Sequence, residues 1–230
     1  MSAQLVAAVT IGQTPRPDLL EPLRDRAGTG TAIIEVGALD GLTADRIPTW
    51  SPRQHLEGDH HPLTTRLRDG SSVTVVEDDL APLVQQAVER AERAGAEVIL
   101  LLCAGGFQDV RAGCTLVRPL DVAVARAHDL GAHRVAVVVP YEGQVSRAQQ
   151  HWQAAGFEAW AVDGDVGRFQ LPVDRDVDAI VLEFVGHPAD AVRALRARTP
   201  VPVFDLGECG AEAAVAALGS PERNGEAAIR

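Results

Sequence analysis

Cys103 closes the run Glu97-Val98-Ile99-Leu100-Leu101-Leu102 and is followed at once by Ala104-Gly105-Gly106-Phe107. A thiol beside two glycines is a place where chemistry can happen. Glycines let backbone N–H groups approach an anion with no side chain in the way, and a thiolate is both nucleophile and base. Such a site suits a small carboxylate. The plain alternative is a buried core cysteine, which is what most free cysteines are. Other reactive side chains also follow apolar runs. Thr10, Gln13, Thr14 and Arg16 lie at or beyond the end of Leu5–Ile11; Tyr141, Glu142 and Gln144 follow Arg134–Val139. Glu183 and His187 follow the run ending at Leu182, and Asp205, Glu208 and Cys209 follow the one starting at Val201. Gly105-Gly106 lacks the spacing of a dinucleotide-binding loop.

Composition narrows the chemistry further. All 21 basic residues are arginine, which excludes a lysine Schiff base, a lysine nucleophile and the lysine of a phosphate-binding loop. A net charge of −11 argues against nucleic acid and against an anionic membrane surface as partners. Cys103, Cys114 and Cys209 form no zinc-like spacing, and their odd number suits a reducing cytoplasm better than a disulfide framework. His55, Asp59, His60 and His61 share an irregular stretch without paired ligand spacing, so solvated surface rather than a metal site is expected there. The N-terminus has no basic leader pattern, and no apolar run approaches the roughly 20 residues of a membrane helix. The expectation is a soluble cytoplasmic protein.

The elements that must position these residues follow from periodicity. An apolar run bounded by turn residues reads as a strand buried on both faces. Strands are predicted at 5–11, 31–36, 98–102, 134–139, 157–162, 177–182 and 201–205. Helices are predicted at 18–26, 79–94, 120–130, 145–155, 188–198 and 211–218. Leu63–Leu67 and Ser71–Val76, joined through Arg68-Asp69-Gly70, read as a hairpin, because Asp-Gly favours a tight primed turn. Residues 43–61 read as a long loop with one helical turn, and 219–230 as a disordered tail. Strands alternating with helices imply parallel sheets and right-handed crossovers. Each half begins with a strand that breaks into a polar loop. That repeat suggests two α/β lobes, 1–115 and 116–205, facing each other across a cleft, with 206–218 packing back on the first. Ligands of parallel sheets bind outside the carboxyl ends of the strands, so the loops named above converge on one surface.

The blocks Thr10-Ile11-Gly12-Gln13-Thr14-Pro15-Arg16, Gly37-Ala38-Leu39-Asp40-Gly41-Leu42, Thr65-Arg66-Leu67-Arg68-Asp69-Gly70 and Leu101-Leu102-Cys103 resemble the AroM family. The resemblance runs through Val138-Val139-Pro140 and Gln144 and covers about residues 4–205. AroM-like proteins resemble the aspartate/glutamate/hydantoin racemase superfamily. That implies an α/β fold of two pseudo-symmetric lobes with mainly parallel sheets and a site in the cleft between them. It also implies chemistry without a cofactor or metal, two opposed cysteines at a substrate α-carbon, and a homodimer among the expected states. By position, Cys103 matches the first-lobe cysteine. The second-lobe segment reads Glu183-Phe184-Val185-Gly186-His187, so Phe184 stands where relatives carry the second cysteine.

Phenylalanine transfers no proton, and two-base racemisation needs an acid/base on each face of the carbanion. His187 is the candidate replacement, with helix capping as its plain alternative; Glu183 is either a third acid/base or a buried, hydrogen-bonded carboxylate. Backbone N–H groups over Cys103, Ala104 and Gly105, with Gln13, Thr14 and Arg16, would clamp the carboxylate. Tyr141, Gln144 and Phe184 would complete the pocket, Phe184 making it narrower and more apolar. The leading expectation is a racemase or isomerase acting on the carbon α to a carboxylate of a small molecule. A one-cysteine decarboxylase or lyase is the alternative reaction, and a carboxylate-binding protein without turnover the alternative class.

Overall fold

The computed structural model describes residues 4–51, 61–172 and 176–219. In chain order, β1 (Gln4–Thr10), α1 (Pro17–Arg26) and β2 (Thr31–Gly37) lead to a hairpin of β3 (Pro62–Arg66) and β4 (Ser72–Val76). Then come α2 (Glu77–Arg93), β5 (Val98–Leu102), β6 (Thr115–Val117) and α3 (Pro119–Asp129). The remainder is β7 (Arg134–Val139), α4 (Val145–Ala154), β8 (Glu158–Asp163), β9 (Ala179–Leu182), α5 (Ala189–Arg198), β10 (Val203–Asp205) and α6 (Leu206–Leu218).

Two four-stranded sheets, every pairing in them parallel, carry the fold. Their orders are β2-β1-β5-β6 and β10-β9-β7-β8. Read as β2-β1-β5-β6 against β8-β7-β9-β10, the two follow one plan. In each, the first strand of the half lies inside the sheet, and the chain goes to one side of it and then to the other. The point of reversal falls between β1 and β5 in one sheet and between β7 and β9 in the other. A crevice opens at such a point because the connections leave in opposite directions.

Alternation along β1 sends Val6 and Ala8 to one core and Ala7 and Val9 to another. Val6, Ala8, Val98 and Leu100 share a core with Val135, Val137, Ala179 and Val181, so the inner faces of both sheets are joined through α1, α3, α4 and α6. α2 and the hairpin cover the outer face of the first sheet, and α5 that of the second. The buried stripe of α2 is Leu80, Val84, Ala87, Val88 and Ala91.

Two elements depart from the sequence reading. β6 has only three residues, too few for a periodicity to register. α6 starts at Leu206 instead of 211 because Asp205 caps it, its Oδ1 accepting from Glu208 N at 2.9 Å. Gly207 and Gly210, which read as loop residues, sit inside that helix. A Cβ at Gly210 would lie 2.8 Å from Leu100 Cδ1 and from Pro119 Cγ, so this glycine lets α6 lie tightly on β5 and the start of α3. Of the predicted loop 43–61, residues 44–46 form a short 3-10 turn. His55, Asp59, His60 and the tail from 220 lie outside the described residues. No described helix is long and apolar enough to cross a membrane, and no group of three or more potential metal ligands occurs among the described residues.

Candidate active site

The carboxyl ends of β1, β5, β7 and β9 meet at a cavity of about 470 Å³. Thr10 and Ile11 line it from β1, and Leu102 to Asp109 from the loop after β5. Tyr141 and Gln144 contribute from the loop after β7, and Glu183, Phe184 and Val185 from that after β9. Arg16, Leu63, Glu77, Arg147 and His151 close the remaining sides. Of the residues selected from sequence, Cys103, Ala104, Gly105, Arg16, Tyr141, Gln144, Glu183 and Phe184 therefore lie along one cavity.

Cys103 is 8% exposed. Its Sγ accepts a hydrogen bond from Gly105 N at 3.1 Å, while its own N–H is spent on Leu101 O at 2.9 Å. Burial pushes the thiol up to about 12, a rise that the Gly105 N–H opposes, Glu77 reinforces and Arg147 opposes. The backbone donors expected to clamp a carboxylate are in part aimed at the sulfur instead. The loop turns on Phe107, the one non-glycine with positive φ (39°) among the described residues. A Cβ at Gly105 would stand 2.7 Å from the Phe107 ring, so glycine at 105 is what lets the loop fold over itself.

In the loop after β9, Glu183 is half-buried and its Oε2 accepts from Trp152 Nε1 at 2.7 Å. Desolvation raises the carboxyl to about 7, against the pull of the Trp152 N–H and the Arg147 charge. His151 is held below its ordinary value, first by burial. Between these groups Glu77 reaches across the cavity: one carboxylate oxygen accepts from Phe107 N at 3.1 Å and the other from the Arg147 guanidinium. Glu77 opens α2, beside the first sheet; Arg147 lies in the first turn of α4, beside the second.

Three of the expected site residues are not brought to the cavity. The side chain of Gln13 donates to Leu39 O and Leu42 O at 3.1 and 3.0 Å and accepts from Arg68 N at 3.0 Å. Thr14 binds Asp40 through both its N–H and its hydroxyl, at 2.9 and 2.8 Å. Arg68 ties the same knot, donating to Thr14 O and to Asp40. Gln13, Thr14, Asp40 and Arg68 thus hold three loops to one another, beside the cavity rather than in its wall. His187 is the third. Its ring meets Phe184 edge-on with centroids 5.3 Å apart, its Nε2 is buried without a partner, and burial lowers it to about 4. Arg16 does line the cavity, but its guanidinium grips Asp18 in a fork at 2.9 and 2.7 Å. Cys209 is buried in α6 and Asp205 caps that helix, so neither faces the cavity.

Glu77, Arg147 and His151 were missed because they lie on helices, where charged residues ordinarily read as solvated surface. One signal was available. Arg147 sits at the positive end of a helix with no acidic residue in its first turn, a placement that costs free energy unless an anion lies nearby.

Residues 6–204 match the model of the AroM protein family. The chain belongs to that family. A search of curated proteins finds no match. Among solved structures, a maleate cis-trans isomerase mutant from Nocardia farcinica, with a covalently bound succinylcysteine intermediate, aligns at TM-score 0.61 and 17% identity, covering 95% of this chain and 94% of that one. Allantoin racemase from Klebsiella pneumoniae aligns at 0.60 and 16%, covering 98% and 96%. Unliganded arylmalonate decarboxylase aligns at 0.58 and 17%, covering 96% of each chain. At such identities the likeness is one of fold: this AroM protein has the aspartate/glutamate racemase-like architecture.

Proposed function

We propose that this AroM protein is a cofactor-independent isomerase or racemase acting at the carbon α to a carboxylate, with Cys103 and Glu183 as its opposed proton-handling groups. What carries the reading is the pairing of a buried thiol and a half-buried carboxyl along one cavity, each at the end of a strand from a different sheet. At neutral pH the thiol, raised to about 12, holds its proton. The carboxyl, raised to about 7, is divided between its two forms. Glu183 then removes the α-proton as general base, and Cys103 delivers a proton to the other face of the resulting carbanion. This resting assignment suits Brønsted logic, in which a base titrating near the working pH balances availability against strength. Phe184, in the place of a second cysteine, adds apolar surface to Leu19, Leu63 and Leu120 and suits a substrate with a hydrophobic substituent. His187 has no part in this mechanism, lying outside the cavity.

A second reading is favoured by the protonated thiol alone. If a carboxylate leaves as CO₂, its bonding electrons form the enediolate, and Cys103 supplies the one proton required while no base is needed. The test is an NMR assay in D₂O on amino acids, arylmalonates and unsaturated diacids, with wild type beside Cys103→Ala and Glu183→Gln. Deuterium entering the α-position without loss of carbon, and abolished by both substitutions, supports the isomerase. CO₂ release that needs Cys103 and survives Glu183→Gln supports the decarboxylase. Saturable binding with no turnover of any member removes both.

A further inference from the structure

We infer that Arg147 is the carboxylate receptor of the cavity and that Glu77 is its resident counter-ion, holding the guanidinium until a substrate carboxylate takes it. The inference rests on the reading that a carboxylate lies beside Cys103, and it assigns the group that holds it.

Most of the expected clamp is already engaged elsewhere. Gln13 and Thr14 are tied to the Leu39–Leu42 loop, and Arg16 is forked onto Asp18. The Cys103 N–H goes to Leu101 O, and that of Gly105 goes to the Cys103 sulfur. Arg66, the other guanidinium on the cavity wall, is 55% exposed and lies 3.8 Å from Asp18. Arg147 differs from all of these. Its one hydrogen bond among the described residues is the bond from Nη2 to Glu77 Oε2, which leaves Nε, Nη1 and part of Nη2 free. A planar fork with open N–H groups is the form in which arginine takes a carboxylate in two parallel bonds.

Position agrees with this role. The Arg147 charge acts on Cys103, on Glu183 and on His151 alike, so it lies among the groups that would act on a substrate. Its place in the first turn of α4 adds the positive end of that helix to its own charge. Glu77 is built to release it. The Glu77 carboxylate sits at the start of α2, where a helix favours an anion, and keeps a bond from Phe107 N through its other oxygen. A substrate carboxylate arriving at Arg147 therefore displaces one interaction of Glu77 and leaves the rest in place. The displaced Glu77 carboxylate then keeps the Phe107 N–H and the start of α2 as its partners.

The experiment uses two alkylating probes of nearly one size, iodoacetate and iodoacetamide, with Cys103 read by peptide mass spectrometry. Thiolate attack on the methylene carbon expels iodide in both cases, so the ratio of the two rates cancels thiol reactivity and reports recognition of the carboxylate. In wild type the iodoacetate:iodoacetamide ratio at Cys103 should exceed that of N-acetylcysteinamide by about ten- to a hundredfold, the range expected of one charge-assisted bond. Arg147→Met should return the ratio to that of the free thiol, and Arg147→Lys should fall between. Glu77→Gln should raise the ratio, since the competing carboxylate is gone; a ratio at or below wild type overturns its role as displaceable counter-ion.

A second measurement does not depend on the thiol. Saturation-transfer NMR should show phenylacetate binding wild type about tenfold or more tighter than phenylacetamide, and the two binding Arg147→Met equally. An Arg147→Met protein of native circular dichroism that keeps both preferences overturns the inference, as does a wild type that shows neither. Turnover in D₂O is a separate reading: a preference that depends on Arg147 in a protein that turns over nothing removes the enzyme and keeps the receptor.

Discussion

The loops after β5 and β9 occupy matching places in two sheets of one plan, and they are built oppositely. The first is Cys103-Ala104-Gly105-Gly106, nearly all backbone, and it folds until the Gly105 N–H meets the sulfur at 3.1 Å. The second is Glu183-Phe184-Val185-Gly186-His187, crowded with large side chains, its acid satisfied by a tryptophan N–H and its histidine pressed against a phenyl ring. Burial acts on both loops in the same sense, penalising charge. The outcomes at neutral pH nevertheless diverge. The same desolvation leaves a thiol, which starts near 9, firmly protonated, and brings a carboxyl, which starts at 4.5, into the range where it titrates. In the proposed mechanism, one fold repeat thus supplies a proton donor from one loop and an acceptor from the other, without two cysteines.

The sharpest way to break this contrast is to remove the thiol. Cys103→Ala should abolish α-proton exchange in D₂O, a loss of 10²-fold or more, with the folded far-UV spectrum retained; residual exchange near wild type would leave the β5 loop without a chemical role. Next, Glu183→Gln should lower exchange by about 10²-fold. In wild type, kcat/KM should rise with pH through about 7 as Glu183 ionises, and no alkaline limb should follow until the thiol titrates towards about 12. A rising limb near 9 in place of 7 would move the base to the cysteine side.

Smaller effects lie in stability. Glu183 has a raised folded pKa, so its contribution is full below pH 4.5 and is lost as pH climbs through about 7. His187 has a depressed one, so stability is lost as pH falls from 6.5 towards about 4. Urea denaturation should show Glu183→Gln flattening the decline between pH 4.5 and 7, and His187→Asn flattening the decline on the acid side. A variant that leaves the slope of its own window unchanged would mean that its group is solvated in the native state.

Much of this arrangement is written locally in the chain. Unbroken apolar runs such as Val98–Leu102 can be read as strands buried on both faces, and their ends mark where Cys103, Glu183 and Tyr141 emerge. The repeat of strand, loop and helix likewise carried the two-sheet plan. Less legible were contacts made by residues far apart in sequence. Glu77 and Arg147 meet through the approach of two helices 70 positions apart, and nothing in either helix's own pattern names the other. Gln13 and Thr14 read naturally as ligand-binding residues, yet they bind the loops of Asp40 and Arg68. Short polar segments between strands carry the same residue types whether they grip a substrate or a neighbouring loop, and only three-dimensional proximity separates the two. Glycine misled in the same way at 207 and 210, where it serves close packing inside a helix and not a turn.

Trp152 places an indole against a carboxyl in the cavity that titrates near neutrality. Its excited state senses charge at the ring nitrogen, so the ionisation of Glu183 should be visible as a change in emission. Titrating the unmodified protein through pH 7 and watching fluorescence would follow the acid directly, before any substrate is known. A ligand carboxylate that alters the balance at Glu183 would move the same signal, which turns a hydrogen bond of the resting protein into a means of finding what it binds.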